Sequence, residues 1–219
     1  MPASRKPVLA AAACAALVSS LTGLGVARAA APTFTVSPGG AFSGTATGTS
    51  TQAFPASLRD ADTNSQVLCS GFSVAGSLRS GTGLPGANIG TMTGLSFTGC
   101  TDRVAFTVNT HVSASTPSTV NANTFASGTT VGTVSISSIT LDGSNGCHIL
   151  VTGRAGAPGF TEFAYADANA RLSFNEGNLV VASITSACRH FAVGDIFELT
   201  GGIAPTAVTI APGQTITSP

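Results

Sequence analysis

The sequence predicts an all-β fold, an antiparallel β-sandwich or barrel of roughly ten to twelve strands that is stabilised by disulfides and follows an N-terminal signal peptide. Three observations indicate this class. Apolar and polar residues alternate in short runs, clusters of glycine and proline separate those runs, and four cysteines remain once the signal is removed.

Strict alternation marks seven short segments of the chain. A period of two buries one face of a strand and leaves the other in solvent, as antiparallel sheets require. The segments are 72–74, 95–97, 104–108, 134–136, 149–151, 172–174 and 208–210. Between them, pairs such as Pro85-Gly86 and Asn145-Gly146 supply the fixed or positive φ of a tight reversal. Residues 162–169 are compatible with a short helix, and equally with a turn.

The first 29 residues have the organisation of a secretory signal peptide. Arg5 and Lys6 precede an uncharged stretch over residues 8–26, and Ala27 and Ala29 occupy the positions that a signal peptidase reads. The alternative is a membrane anchor, which needs about 20 apolar residues and is disfavoured by the alanine-rich, hydroxyl-containing composition. We therefore expect a signal over residues 1–29 and a single secreted β-domain over residues 30–219, with two closely packed halves as the alternative.

Charge bounds the partners of the secreted chain. Removing the signal leaves six arginines, no lysine and nine acidic residues, a formal charge of −3. Such a surface has no basic field for phosphates or anionic lipids, so the sequence predicts neither nucleic-acid binding nor membrane binding after signal removal. The predicted location is extracellular or associated with the cell wall.

The four remaining cysteines are predicted to form structural disulfides. Three pairings are possible, and the sequential one is preferred because each bond then closes a segment of a few strands. It joins Cys69 to Cys100 and Cys147 to Cys188. The alternative, metal ligation or a reactive thiol, is disfavoured because the chain has no Cys-x-x-Cys pair and an oxidising compartment is expected.

Hydrolases are the first catalytic class to test. The chain has neither a Gly-x-Ser-x-Gly motif nor a His-Glu-x-x-His pair. His111, His148 and His190 are predicted to lie at the surface or on edge strands. Glycoside hydrolysis needs two facing carboxylates, but a chain with no Trp and one Tyr offers few rings for a sugar to stack on. The candidate carboxylates are Glu162, Asp167, Glu176, Asp195 and Glu198. We expect no catalytic residue, metal or cofactor.

One segment shares a feature with calcium loops. Asp60, Asp62 and Asn64 place side-chain oxygens at alternating positions. An EF-hand would continue with glycine at its sixth position and glutamate at its twelfth, where this chain has Ser65 and Gly71. The prediction is a solvated turn, and calcium held by Asp60, Asp62 and Asn64 is the alternative.

The two ends of the mature chain carry a resemblance. It opens on Thr-Phe-Thr-Val-Ser-Pro-Gly-Gly at 33–40 and closes on Gln-Thr-Ile-Thr-Ser-Pro at 214–219, with the segments 90–100 and 146–147 between them. This arrangement resembles a family of small secreted actinobacterial β-proteins that has no assigned activity. The resemblance covers nearly the whole mature length and implies the positions of the cysteines, but no catalytic or binding residue.

These observations predict a non-catalytic secreted or cell-envelope β-protein with a structural or binding role. A cell-wall component and a second copy of the chain are the partners that its composition favours. The alternative is an extracellular hydrolase with a site among His190, Asp195 and Glu198, which would require a deep cleft with converging polar groups.

Overall fold

The computed structural model describes residues 31–111, 118–188, 190–200 and 206–219. The predicted signal peptide, the loop around Pro117, and Arg189 lie outside these ranges, as does the side chain of His111. Residues 31–219 form one compact unit. Within the described residues, no helix is long and apolar enough to span a membrane.

The all-β antiparallel prediction is confirmed: every strand pairing among the described residues is antiparallel. These residues form seventeen strands, more than the roughly ten to twelve expected from turn spacing. Residues 162–169 complete strand β12 and a single 3₁₀ turn, Asp167–Asn169. The strands are β1 Thr33–Ser37, β2 Gly40–Thr47, β3 Ala56–Asp60, β4 Gln66–Leu78, β5 Gly81–Pro85, β6 Gly90–Asp102, β7 Val104–His111, β8 Ser118–Ala126, β9 Thr129–Ile136, β10 Ser138–Gly143, β11 His148–Gly153, β12 Gly159–Ala166, β13 Arg171–Gly177, β14 Leu179–Ile184, β15 Ile196–Thr200, β16 Thr206–Ala211 and β17 Thr215–Thr217.

Fourteen of the strands close into a barrel, and a further pairing between β4 and β6 divides it. The result is two closed rings of eight strands that share the β4–β6 pair. The first ring runs β4-β6-β8-β9-β12-β13-β16-β2, and the second runs β4-β6-β7-β10-β11-β14-β15-β3. Among the described residues, every strand of the two rings has a hydrogen-bonded neighbour on each side, which is how closed barrels avoid exposed strand edges.

The length of β4 explains how one strand serves both rings. Its first residues pair with β3 and its later residues, from Gly71 to Leu78, pair with β2. Val67 and Cys69 are buried, and the buried set then changes phase to Phe72 and Val74. Because successive side chains of a strand point to opposite faces, Cys69 and Phe72 face opposite sides of the shared pair. Each face of the β4–β6 pair therefore contributes buried side chains to the interior of a different ring.

A third sheet, in the order β17-β1-β5, packs against the first ring. Its Phe34, Val36 and Ile216 are buried in the common core. The phenol of Tyr165 joins it to β12, since its O–H donates to Gln214 O at 2.6 Å and its oxygen accepts from Gln214 N at 2.9 Å. Burial of this ring raises the pKa of Tyr165. This buried hydroxyl thus holds the backbone of Gln214, just before β17, against β12.

Replacing Tyr165 with phenylalanine is expected to lower the free energy of unfolding by about 1–3 kcal/mol, because it leaves a buried N–H and a buried carbonyl unpaired. Chemical denaturation of the mature protein measures the loss. Ser173→Ala is the matched control, since it removes a part-buried hydroxyl that donates only to Ala164 O. A loss no larger than that of the control would contradict the role assigned to Tyr165.

Candidate functional site

Residues from two predicted candidate sets meet at one corner of the second ring. Asp60 ends β3 and Asp195 precedes β15, and these strands pair with Phe197 opposite Asp60. One carboxylate oxygen from each of Asp60, Asp62 and Asp195 lies within 4.8 Å of the others. We call these three residues the acidic cluster.

Asp60 is the buried member, with no exposed surface. Its Oδ1 accepts the backbone N–H groups of Asp62 at 2.9 Å and Thr63 at 3.1 Å, while its Oδ2 accepts the Thr63 hydroxyl at 2.8 Å. This is the local turn that Asp favours through bonds to the backbone two and three residues on. The Asp60 carboxylate therefore shapes the loop that follows β3.

The other two carboxylates tie this loop to the segment before β15. Asp62 Oδ2 accepts the N–H of Ile196 at 2.9 Å, and Asp195 Oδ2 accepts the N–H of Ala192 at 2.6 Å. The Ala61 N–H donates to Ile196 O at 2.9 Å. Each carboxylate of the acidic cluster thus makes a structural hydrogen bond.

The pKa of Asp195 is raised by burial and by the neighbouring acids. Burial is the largest cause, followed by a hydrogen bond with Asp60. An acid whose folded pKa exceeds its unfolded value binds more protons in the folded state between the two values. Its contribution to stability is therefore lost as pH rises from 3.8 through the folded pKa.

Asp195→Asn is expected to be more thermostable than the parent protein at pH 7 in a chelating buffer, and the difference should shrink at pH 3 to 4. The amide keeps an oxygen for the Ala192 N–H and removes one negative charge. Melting temperatures at both pH values measure the effect, with exposed Glu176→Gln as the charge-matched control. A variant less stable than the parent at pH 7 in chelator would contradict this account.

Carboxylate oxygens are the ligands that calcium prefers, and the acidic cluster could share one cation. Asn64, the third ligand of the calcium alternative, lies exposed at a positive φ of 59° in the same turn. Asp195, distant in sequence, accompanies Asp60 and Asp62.

The residues considered for hydrolysis take separate positions. Glu198 lies 3.6 Å from the guanidinium of Arg59 on the neighbouring strand. The side chain of His190 is exposed, and among the described residues no hydrogen bond or ion pair joins it to Asp195 or Glu198. In this structure His190 therefore forms no acid–base pair with either Asp195 or Glu198.

A second histidine does contact a carboxylate. Nδ1 of His148 lies 2.5 Å from Asp142 Oδ1 on the exposed hairpin of β10 and β11. A nucleophilic triad also needs a hydroxyl on the other ring nitrogen. The nearby Thr185 hydroxyl instead accepts the backbone N–H of His148 and donates to Gly146 O, both at 2.9 Å. The Thr185 hydroxyl therefore holds the turn of the β10–β11 hairpin and is not a free nucleophile.

The cysteines pair as predicted, Cys69 with Cys100 and Cys147 with Cys188. The first disulfide joins directly opposite residues of the shared β4–β6 pair. The second joins the start of β11 to the segment that follows β14, which carries His190.

Three cavities differ in what they could hold. The first ring encloses about 30 Å³ lined by apolar residues such as Met92 and Phe163. A groove of about 230 Å³ is lined by the hydroxyls of Ser73, Ser96 and several threonines and has no charged group. The third cavity, about 220 Å³, lies beside the Cys147–Cys188 disulfide and includes charged residues. Sequence reasoning found none of the three.

No family model, curated protein or solved structure matches this chain.

Proposed function

We propose that this chain is a secreted or cell-envelope β-protein that acts without catalysis, in a structural or binding role. The observation that supports it best is the filling of both rings by side chains. The described core residues form one apolar cluster, and the cavity inside the first ring, about 30 Å³, is far smaller than the ~300–1,000 Å³ of a typical ligand pocket. A partner would therefore meet the outer surface.

The fate of the candidate catalytic groups supports the same proposal. The carboxylates of the acidic cluster hold backbone N–H groups, and Glu198 neutralises Arg59. Catalytic acids and bases require a free position toward a substrate. Two disulfides suit an oxidising compartment outside the cell, as does the signal peptide proposed for residues 1–29. We also propose that the chain is a member of the family of small secreted actinobacterial β-proteins that it resembles.

The experiment has two arms. The first expresses the full chain with its own signal in an actinobacterial host and separates wall, membrane and medium, with size-exclusion chromatography of the purified protein. We expect the processed protein in the wall fraction or as an assembly. A stable monomer found in the medium alone would contradict the structural role.

The second arm tests the absence of catalysis. The mature protein is incubated with chromogenic ester, peptide and glycoside substrates, and no turnover above the buffer rate is expected. Turnover that disappears in His190→Ala or Asp195→Asn, while Glu176→Gln retains it, would establish the hydrolase alternative and overturn the proposal.

A further inference from the structure

The cavity beside the second disulfide lies at one end of the second ring. Three segments build it: the turn between β6 and β7 with Asp102 and Arg103, the turn between β10 and β11 with Asn145, and the segment with Ala187 and Phe191. Its volume is about 220 Å³. The mouths of β-barrels are among the places where small-molecule sites occur.

The inner wall of this cavity is apolar. Phe106 and Phe191 are buried, at 9% and 6% exposure, and Cys147 and Cys188 add the disulfide. Val104 completes the wall on the β7 side. Apolar surface of this kind gains about 25 cal/mol for each Å² that a ligand removes from water. A flat or branched apolar group therefore fits the inner part.

In the part of the chain that the structure describes, the rim carries the exposed His190 and two side chains of opposite charge, Asp102 and Arg103. Among the described residues, neither Asp102 nor Arg103 forms an ion pair or a side-chain hydrogen bond, whereas Arg59 is paired with Glu198. The turn that presents them is held by another residue, since the Thr101 hydroxyl donates to Val104 O at 3.1 Å. Their side chains are thus not needed to close the turn.

Asn145 adds a donor to the same rim. Its Oδ1 accepts the N–H of Cys147 at 3.1 Å, which fixes the orientation of the amide. The Nδ2 group has no partner among the described residues. An amide nitrogen carries two donors, so Asn145 can donate to an anionic group that Arg103 also contacts.

We propose that this cavity binds an α-amino acid with an apolar side chain. Arg103 and Asn145 contact the carboxylate, Asp102 contacts the ammonium group, and the side chain packs on Phe106 and Phe191. A guanidinium matches a carboxylate with two parallel hydrogen bonds. A volume below the usual range for drug-sized ligands fits a ligand of this size.

The choice of a zwitterion follows from the two oppositely charged side chains among the described lining residues, Asp102 and Arg103. A purely anionic ligand would meet Asp102 as well as Arg103, and a purely cationic ligand would meet Arg103 as well as Asp102. Like charges brought together without water are repelled. The hydroxyl-lined groove offers no charge to select a ligand, and the apolar cavity of the first ring is too small for one. This inference goes beyond the proposed structural role and does not depend on it.

The test is a titration of the oxidised mature protein with L-phenylalanine, followed by calorimetry and by amide chemical shifts. We expect saturable binding with a Kd in the millimolar range or tighter, and the largest shifts around 102–106, 145–147, 187–188 and 190–191. Phenylacetate and phenethylamine, which each lack one charge, should bind more weakly than L-phenylalanine.

Two rim variants and a blocking variant sharpen the test. Arg103→Gln and Asp102→Asn should each weaken binding about tenfold, or ~1.4 kcal/mol, and Ala187→Leu should abolish it by filling the cavity. Arg79→Gln, an exposed arginine of another turn, is the control that should leave binding unchanged. All variants are first checked for parent-like circular dichroism.

Failure to bind L-phenylalanine would overturn the inference, and so would binding that Arg103→Gln leaves unchanged. Tighter binding of phenylacetate than of L-phenylalanine would replace the zwitterion with an anion. None of these results bears on localisation or on the lack of turnover, so failure here is distinguishable from failure of the proposed function.

Discussion

Substituting both Cys69 and Cys100 with alanine is expected to lower the free energy of unfolding by about 3–4 kcal/mol. The bond closes a segment of 31 residues and joins opposite positions of the β4–β6 pair that both rings share. Without it, the unfolded chain regains the freedom that the cross-link removed, and two buried sulfur positions lose their packing. Guanidinium chloride titration of the oxidised protein measures the change.

The matched control is the double alanine variant at Cys147 and Cys188. Its bond closes 41 residues, and the dependence on loop length is weak, so the chain-entropy loss should be similar to within a few tenths of a kcal/mol. The two variants should differ instead in which strands are loosened. Loss of the Cys69–Cys100 bond loosens the β4–β6 pair and so affects both rings, whereas the Cys147–Cys188 bond holds only one corner of the second ring. A loss below about 1 kcal/mol for the Cys69 and Cys100 variant would contradict the role assigned to the shared pair.

Phe174→Ala is expected to cost about 3–5 kcal/mol. Phe174 is fully buried on β13, and its ring meets Phe72 of the shared pair edge-on with 5.7 Å between centroids. Phe72 in turn contacts Phe97 at 5.1 Å. Truncation would open a cavity among three aromatic rings at the centre of the first ring of strands, where close packing prevents collapse.

Urea denaturation, read by near-ultraviolet circular dichroism and by far-ultraviolet signal together, measures this loss. Phe54→Ala is the control, because that ring is 38% exposed, and its truncation should change stability much less. Equal losses for the two variants would show that Phe174 is not part of a packed interior.

Alternation predicted the fold because buried strands of this chain keep a period of two. In the segments at 104–108, 134–136 and 172–174, the buried residues are two positions apart: Phe106 and Val108, Val134 and Ile136, and Leu172 and Phe174. Alternation did not identify strands such as β2 and β5. In β2 only Phe42 is buried, and in β5 no residue is fully buried. Their hydrogen-bonding partners make them strands, and a partner distant in sequence leaves no local pattern.

The division into two rings did leave a trace in the sequence. The apolar positions of β4 change phase between Cys69 and Phe72, across Ser70 and Gly71. A single alternating strand would keep its phase, so the change marks the point where burial passes from one face to the other. Reading it requires knowing that both faces are covered, which alternation alone does not reveal.

The candidate site shows the same limit. Alternating oxygens identified Asp60 and Asp62, but their neighbour Asp195 lies more than 130 residues away and arrives through the pairing of β3 with β15. Likewise, the cavity with Asp102 and Arg103 is built from three turns that adjoin only in the folded chain. Both sites are formed by pairing between strands that are distant in sequence, and local sequence patterns do not reveal such pairing.

The decisive measurement is peptide mapping by mass spectrometry, without reduction, of the protein recovered from the wall and medium of an expressing culture. We expect a mature N-terminus at Ala30, two cross-linked peptide pairs that join Cys69 to Cys100 and Cys147 to Cys188, and no alkylated cysteine. Crossed pairs, or free thiols that react with iodoacetamide under denaturing conditions, would contradict a β-scaffold held by these two bonds outside the cell.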